Sequence, residues 1–335
     1  MTVSSSRARE LVGRFRDQRV LVVGDLMLDR YVYGSVSRIS PEAPVPVVHV
    51  TREKSAAGGA GNVAWNIQSL GGSSNVCGVL GQDAAAEELT SLLTANGVSV
   101  GHILRDPAMQ TAVKTRVIAE RQQVVRVDRE RTDVVPDAVM HQFHERVASA
   151  IGDDTTAVIL EDYGKGAIGQ GVVDVVLEAA RKKEIPVGFD PKENHELRVA
   201  GATLATPNRH EAFAAVGLRD TTNQVDPLRD DCLKQVARAL FAAWQSELLL
   251  ITLGSQGMLL AKDGDPTLHV PTRAREVFDV SGAGDTVIAT SVLALAAGAT
   301  PEEAAELANY AAGVVVGKLG TADCSPDELL AYVER

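Results

Sequence analysis

The chain lacks most of what would mark a secreted, metal-stapled or nucleic-acid-binding protein. Its 335 residues contain three cysteines, Cys77, Cys232 and Cys324, an odd and scattered set. No pair has CxxC or metal-ligand spacing, which argues against a disulfide framework or a zinc site and suits a reducing compartment. Aromatic residues are 4% of the chain, so valine, leucine, isoleucine and alanine must do most of the packing. Basic residues are outnumbered: Lys plus Arg is 33 against Asp plus Glu at 44, a formal net charge of -11. A dedicated nucleic-acid binder would normally carry a basic stripe. An anionic small ligand stays open, because a helix N-terminus binds phosphate locally even in an acidic protein. No apolar run approaches the roughly 20 residues that span a bilayer, and residues 1–10 lack the apolar core of a signal peptide. The expectation is a cytoplasmic protein that engages neither membrane nor nucleic acid.

What is present is 45% hydrophobic and 23% charged residues, interleaved along the chain and sufficient for a sizeable core. Val20-Leu21-Val22-Val23-Gly24 reads as a buried strand, and short apolar strands are expected over 157–160, 186–190 and 248–253. Helical patterns cover 62–70, 83–96, 136–150, 169–183, 282–297, 301–319 and 326–333. This alternation predicts an α/β fold with a largely parallel central sheet, helices on both faces, and ligands beyond the carboxyl ends of the strands. Two segments stand outside it. One, about 29–54, carries prolines that only an edge strand tolerates. The other, about 111–128, alternates with period two. Paired, they would form a small β-lid over a cleft.

The sharpest motif is Asp279-Val280-Ser281-Gly282-Ala283-Gly284-Asp285-Thr286, which runs directly into a helical pattern. Its small residues let the backbone approach a ligand, and the N–H groups of the first turn can face an anion. Asp285 would then stand where a carboxylate is useful as acceptor of the proton of a hydroxyl that attacks phosphorus. An ordinary glycine turn followed by a first-turn acid explains the same residues. Gly58-Gly59-Ala60-Gly61-Asn62 also opens a helix; it could meet sugar hydroxyls, while a dinucleotide fingerprint would need a third glycine and a clean leading strand. Asn208-Arg209-His210-Glu211 puts Asn and Glu at i and i+3, suited to hydrated magnesium beside phosphates, or to a plain N-cap with a first-turn acid. Thr252-Leu253-Gly254-Ser255-Gln256-Gly257 is a nucleotide-side turn or a hairpin. Lys165, in the loop after a strand, either reaches an anionic group or is simply exposed. Gly313-Val314-Val315-Val316-Gly317-Lys318 is one residue short of a P-loop, with Leu319 where Ser or Thr should bind magnesium, and is rejected.

In their order, the strand end Gly24 to Asp29, the Gly58 to Asn62 cluster, Asn208 to Glu211, Thr252 to Gly257 and Asp279 to Asp285 resemble the ribokinase-like family of carbohydrate kinases over nearly the whole chain. Gly24-Asp25-Leu26-Met27-Leu28-Asp29-Arg30-Tyr31, Arg38-Ile39-Ser40-Pro41-Glu42-Ala43-Pro44, Asp162-Tyr163-Gly164-Lys165-Gly166 and Asp190-Pro191-Lys192 are similar to its branch that acts on D-glycero-β-D-manno-heptose 7-phosphate. The resemblance implies a single ribokinase-like domain over 1–335, transfer of the ATP γ-phosphate to the anomeric hydroxyl, and a place in the route to ADP-heptose for lipopolysaccharide core.

The resemblance also implies roles. Asp285 would be the catalytic base, with Gly282, Ala283 and Gly284 as its anion hole. Asn208, Arg209, His210, Glu211, Thr252, Gly254, Gly257 and Asn309 would hold the nucleotide, Asn208 and Glu211 reaching Mg2+ through water. Asp29, Gly58, Gly59, Asn62, Arg116, Lys165 and Lys192 would meet the sugar phosphate, with Arg38 a further cation for its phosphate. Asp279 falls where related kinases place a monovalent cation such as K+. A homodimer joined through the lids is expected, because a small isolated sheet has too little core to bury both faces. Some relatives carry a fused nucleotidyltransferase domain with a His-x-Gly-His signature, which is missing here, so adenylylation would fall to another protein.

Overall fold

A computed structural model of the chain describes residues 3–120, 122–131, 135–193, 195–221, 226–274, 276–318, 320 and 322–334. Leu319, the end of one expected helix and part of the P-loop comparison, lies outside them. Among the described residues, no helix is long and apolar enough to cross a membrane.

Short apolar runs separated by helices give the sheet that alternation demands. Across it the strands run Asp265–Val270, Met258–Lys262, Leu248–Thr252, Leu204–Ala205, Val187–Asp190, Ala157–Glu161, Arg19–Gly24 and Ser73–Cys77. The last six are parallel, and the first two form antiparallel pairings at one edge. The turn at Gly254 to Gly257 therefore does join a hairpin. Period two divides each buried strand between two cores. Val20, Val22, Ala157 and Ile159 face the core that contains helices Ser5–Arg14, Ala60–Ser69, Ala283–Ala296 and Pro301–Val315. Leu21, Val23, Val158 and Leu160 face Asp137–Ala150, Gln170–Lys183 and Asp231–Trp244. The helix Ala283–Ala296 is buried nearly all round, as a helix apolar on every face must be. It lies tightly on the sheet: a Cβ at Gly188 would come within 2.4 Å of Val292.

The expected elements are present with small shifts at their ends. The helix anticipated over 301–319 stops at Val315, where the β-branched and glycine run 313–317 favours helix poorly. Gly313 lies inside that helix, with a Cβ position 3.0 Å from the Tyr332 ring. The resemblance to a P-loop is thus a helix-packing glycine. Several elements were not anticipated. Leu204–Ala205 is too short to show a period, Ser73–Cys77 begins with polar residues, and helices Ser5–Arg14 and Asp231–Trp244 were not singled out.

The two excursions pair into one four-stranded sheet in the order Pro46–Gly59, Leu26–Ile39, Ala112–Ala119, Gln122–Arg129. Its middle pair is parallel and its outer pairs antiparallel. Pro46 sits at the start of an edge strand, where its missing N–H costs nothing. Both strands of the first excursion run beyond its 29–54 limits, because Leu26 to Leu28 and Ala56 to Gly59 root the lid in the core.

Candidate active site

Three strands end side by side, with Gly24 opposite Glu161 and Glu161 opposite Asp190. Strand parity turns both carboxylates toward the face covered by helix Ala283–Ala296, whose first turn brings Asp285 over them. One carboxylate oxygen from each of Glu161, Asp190 and Asp285 lies within 4.8 Å of the others. Asp285 is held from two sides: Asn62 Nδ2 donates to Oδ2 at 2.5 Å and the Tyr163 hydroxyl donates to Oδ1 at 2.8 Å. Burial pushes the Asp285 carboxyl above its ordinary range, while these two donors pull it down. Tyr163 is driven well above the usual phenol range, chiefly by the Asp285 charge and then by burial, which keeps it a donor. Glu161 is raised well above its usual range by burial and by the charges of Asp190, Asp285, Asp162 and Asp25.

The loop after strand Ala157–Glu161 is pinned by an acid that sequence reasoning did not use. Buried Asp25 accepts the backbone N–H groups of Tyr163, Lys165 and Ala167 at 2.8, 2.9 and 2.9 Å. Asp162 accepts from Gly164 N–H at 2.8 Å and faces His195 Nδ1 at 2.6 Å. These contacts fix the loop that delivers Tyr163 to Asp285 and Lys165 to the rim.

Gly282 caps the helix with φ +79°, a conformation that favours glycine. A Cβ at Gly284 would meet nothing within 4 Å, so the turn is open to a ligand. Ala283 spends its N–H on Val280 O at 3.2 Å, whereas the next groups of the first turn have no intrahelical acceptor. At the other glycine cluster, Gly59 has φ +58°, and a Cβ at Gly58 would stand 2.7 Å from Asp29 Oδ2. Gly58 therefore lets Asp29 close onto the strand.

Between floor and lid lies a cavity of about 450 Å³. Of the residues expected on the sugar side, Asp29, Gly58, Gly59, Asn62, Arg116, Lys165 and Lys192 line it, together with Gly282 and Asp285. Lys114, Arg126 and Tyr163 line it as well and were missed. Period two could have found the two cations, since Lys114 shares a strand face with Arg116, and Arg126 is the cross-strand partner of Arg116. Arg38 is exposed on the lid and does not line the cavity. Arg116 bonds Asp29 at 2.5 Å, Lys165 bonds Glu130 at 2.8 Å and Arg126 bonds Asp128 at 2.9 Å. Two larger clefts, of about 870 Å³ by Val36 and Gln122 and about 880 Å³ by Glu178 and Arg181, contain none of these carboxylates.

Two of the segments expected to hold nucleotide adjoin at the carboxyl ends of the neighbouring strands Leu204–Ala205 and Leu248–Thr252. Asn208 bridges Thr252, whose N–H donates to Pro207 O at 3.0 Å. Asn208 is the N-cap of helix Arg209–Ala215 and forms a reciprocal cap with Glu211, each side chain accepting the other's backbone N–H at 3.0 Å. The plain cap, one of the two readings their spacing allowed, is thus what these residues build, with Asn208 just outside the helix. Burial raises Glu211 above its ordinary range. Arg209 is committed to Asp220 at 2.6 Å and to Asp230 at 3.2 Å, and His210 faces Glu193 at 3.2 Å. Both side chains are therefore engaged with protein carboxylates.

Gly254 and Gly257 have φ +57° and +89°, and a Cβ at Gly257 would strike Val270 O at 2.1 Å. Asn309 Nδ2 donates to Pro271 O at 2.7 Å, beside a smaller cavity of about 240 Å³. Asp279 accepts the N–H groups of Ser281 and Gly320 at 2.9 and 3.2 Å, joining the turn to the segment that follows the next helix.

A buried carboxylate held by two donors, at a helix N-terminus that opens onto a cation-rimmed cavity, is the equipment of phosphoryl transfer to a hydroxyl. The chain belongs to the pfkB family of carbohydrate kinases, whose family profile matches residues 17–328. It is thus a carbohydrate kinase, and kinases of this family use ATP with magnesium. It is 43% identical over 326 residues to the "Bifunctional protein HldE" of Geotalea uraniireducens, covering 96% of this chain and 64% of that protein. The protein of the same name from Pseudomonas aeruginosa is 46% identical over 325 residues, covering 96% and 65%. This chain therefore spans a little under two thirds of the length of those relatives. Among solved structures, phosphofructokinase-2 from Escherichia coli in complex with substrates and products superposes with a TM-score of 0.75 at 22% identity, covering 95% of this chain and 100% of that one. Arabidopsis thaliana ribokinase complexed with ribose and ATP gives 0.72 at 19%, covering 95% and 99%. The fold is thus ribokinase-like.

Proposed function

We propose that the enzyme transfers the γ-phosphate of ATP to the anomeric hydroxyl of D-glycero-β-D-manno-heptose 7-phosphate, giving the 1,7-bisphosphate, as a cytoplasmic step toward ADP-heptose for lipopolysaccharide core. The observation that carries this reading is the cavity itself. In a chain of net charge -11, one lined by Lys114, Arg116, Arg126, Lys165 and Lys192 opposite Asp285 suits a sugar with a second anionic end. The 43–46% identity to proteins named for two functions, over all but a few per cent of this chain, supports it.

In this reading Asp285 takes the proton as the sugar oxygen attacks the γ-phosphorus and the bond to the β-phosphate oxygen breaks. The N–H groups of Gly282 and Gly284 stabilise the charge on the transferred group, while the expected contribution of Ala283 is withdrawn because its N–H is held by Val280 O. Magnesium, when bound with ATP, spreads the negative charge of the β- and γ-phosphates. Glu211 and Asn208 would reach it through water by the oxygen capacity their mutual cap leaves. Thr252, Gly254, Gly257 and Asn309 would shape the nucleotide side, and Asp279 the neighbourhood of a potassium ion. A coupled ADP-release assay over a panel of sugars and sugar phosphates is the test. Turnover highest with the heptose 7-phosphate is expected; highest turnover with a different sugar would replace the substrate, and none with any would overturn the reading.

The same reading includes a homodimer joined through the lids. Val125 and Val127, 46% and 55% exposed, alternate with the cavity-facing Arg126 and so line the lid's outer face. Light scattering at micromolar concentration should report twice the chain mass, and a monomer would remove the proposal.

A further inference from the structure

The cations of the lid and of the Lys165 loop already have carboxylate partners that line the same cavity. Arg116 is bonded to Asp29 and Arg126 to Asp128, while Lys114 Nζ lies 3.4 Å from Asp128. Glu130, which follows the last residue of the lid strand Gln122–Arg129, serves two elements at once. Its Oε1 accepts from Lys165 Nζ at 2.8 Å, on the loop that rises from the floor, and its Oε2 lies 3.8 Å from Lys114 Nζ, on the lid. The three carboxylates are not held alike. Asp29 is buried among paired lid strands, and Asp128 takes two bonds from the Arg126 guanidinium, at 2.9 and 3.0 Å. Glu130 is held by one oxygen only. Among the described residues, no hydrogen-bond donor reaches its buried Oε2, and 3.8 Å from an ammonium is an ion pair without a hydrogen bond.

We propose that Glu130 is an internal stand-in for the substrate's phosphate: it occupies the subsite between Lys114 and Lys165, and a phosphate enters by displacing it. The inference rests on the reading that the sugar carries a second anionic end. Two ammonium groups from different elements that converge on one carboxylate offer the same donors to phosphate oxygens. A phosphate monoester carries about −1.5 to −2 charges at pH 7 against one for a carboxylate, so it is the stronger partner for the pair. Glu130 is also the carboxylate with the least to lose, because one of its oxygens is unsatisfied where it stands. Displacing it is a penalty common to every anion. A sugar phosphate offsets that penalty through the contacts of its sugar elsewhere in the cavity, whereas inorganic phosphate has none. Glu130 thereby reserves the lysine pair for an anion attached to a sugar that fits, and keeps free phosphate out.

The test needs neither sugar nor ATP. Nucleotide-free enzyme is titrated with inorganic phosphate, and the dissociation constant is read from the rise in melting temperature with phosphate concentration. Glu130→Gln keeps the shape and removes the competing charge. It should bind phosphate roughly ten- to hundredfold more tightly than the parent, the worth of one charged hydrogen bond. Lys165→Ala added to that variant should erase the gain, which locates the phosphate at the lysine pair and not at the helix N-terminus. If Glu130→Gln does not fold, Glu130→Ala removes the same charge and takes its place. Unchanged or weaker phosphate binding without the Glu130 charge would overturn the proposal, since a carboxylate that merely props the lysines would cost affinity when lost. A gain that survives Lys165→Ala would overturn it as well. A sugar panel that favours a different substrate would leave this titration untouched, so the two readings fail separately.

Discussion

The floor and the ceiling of the cavity are built from opposite materials. The floor is acidic and buried, set on the ends of parallel strands and the first turn of a buried helix. The ceiling is basic and half-open, set on a lid of alternating strands whose outer face is exposed. Glu161, Asp190 and Asp285 are immobilised by sheet register and helix packing, whereas Arg116 and Arg126 on the lid, and Lys165 on the loop that rises from the floor, sit in ion pairs that a phosphate can replace. The difference points to a division of labour. In the proposed reaction, proton transfer needs an acceptor held within hydrogen-bond reach, which the rigid floor would supply. Gripping the distant phosphate of the proposed substrate needs cations that can change partner, which the lid and the Lys165 loop would supply.

The strongest way to break this comparison is to disable the floor alone. Asp285→Asn keeps the shape and removes the base, so kcat should fall by about 10²–10⁴-fold while ATP still binds, because the first-turn N–H groups do not need the carboxylate. Near-normal turnover would return Asp285 to a first-turn acid worth only about 0.3–1 kcal/mol of stability. A smaller effect is expected at the rim. Lys165→Ala removes a charged hydrogen bond worth about 1.5–3 kcal/mol, so the KM for the sugar phosphate should rise roughly ten- to hundredfold and that for ATP little. An unchanged sugar KM would transfer the grip to Arg116 or its neighbours. The smallest effect should come from the link between loop and base. Tyr163→Phe deletes one of the two donors to Asp285 and should lower kcat by about tenfold with both KM values nearly unchanged. Equal loss in KM would make Tyr163 a contact of the sugar instead.

The two halves of the site were not equally legible in the sequence. The turn from Asp279 to Asp285 is local, so the bond between its glycines and its helix start could be read directly. The lid was legible as two proline-marked or alternating segments, and period two would have extended Arg116 to Lys114 and Arg126. The floor was not. Glu161 looked like the first residue after a strand and Asp190 like the last residue of one, and their adjacency depends on the order of strands separated by helices. Tyr163 reaches Asp285 across 122 residues, and Asp25 pins its loop across 138 or more. Asn208 and Glu211 were legible locally: of the two readings their spacing allowed, the structure builds the N-cap geometry that asparagine favours.

The division between floor and lid is tested most directly by a cycle that removes the phosphate from the substrate and a cation from the lid. kcat/KM is measured for the heptose 7-phosphate and for the same heptose without its phosphate, in the parent enzyme and in Arg116→Ala. The account predicts that losing the phosphate costs the parent much more than the variant, by roughly ten- to hundredfold, the worth of one charged hydrogen bond. Equal costs in both enzymes, for this variant and for Lys165→Ala alike, would contradict it.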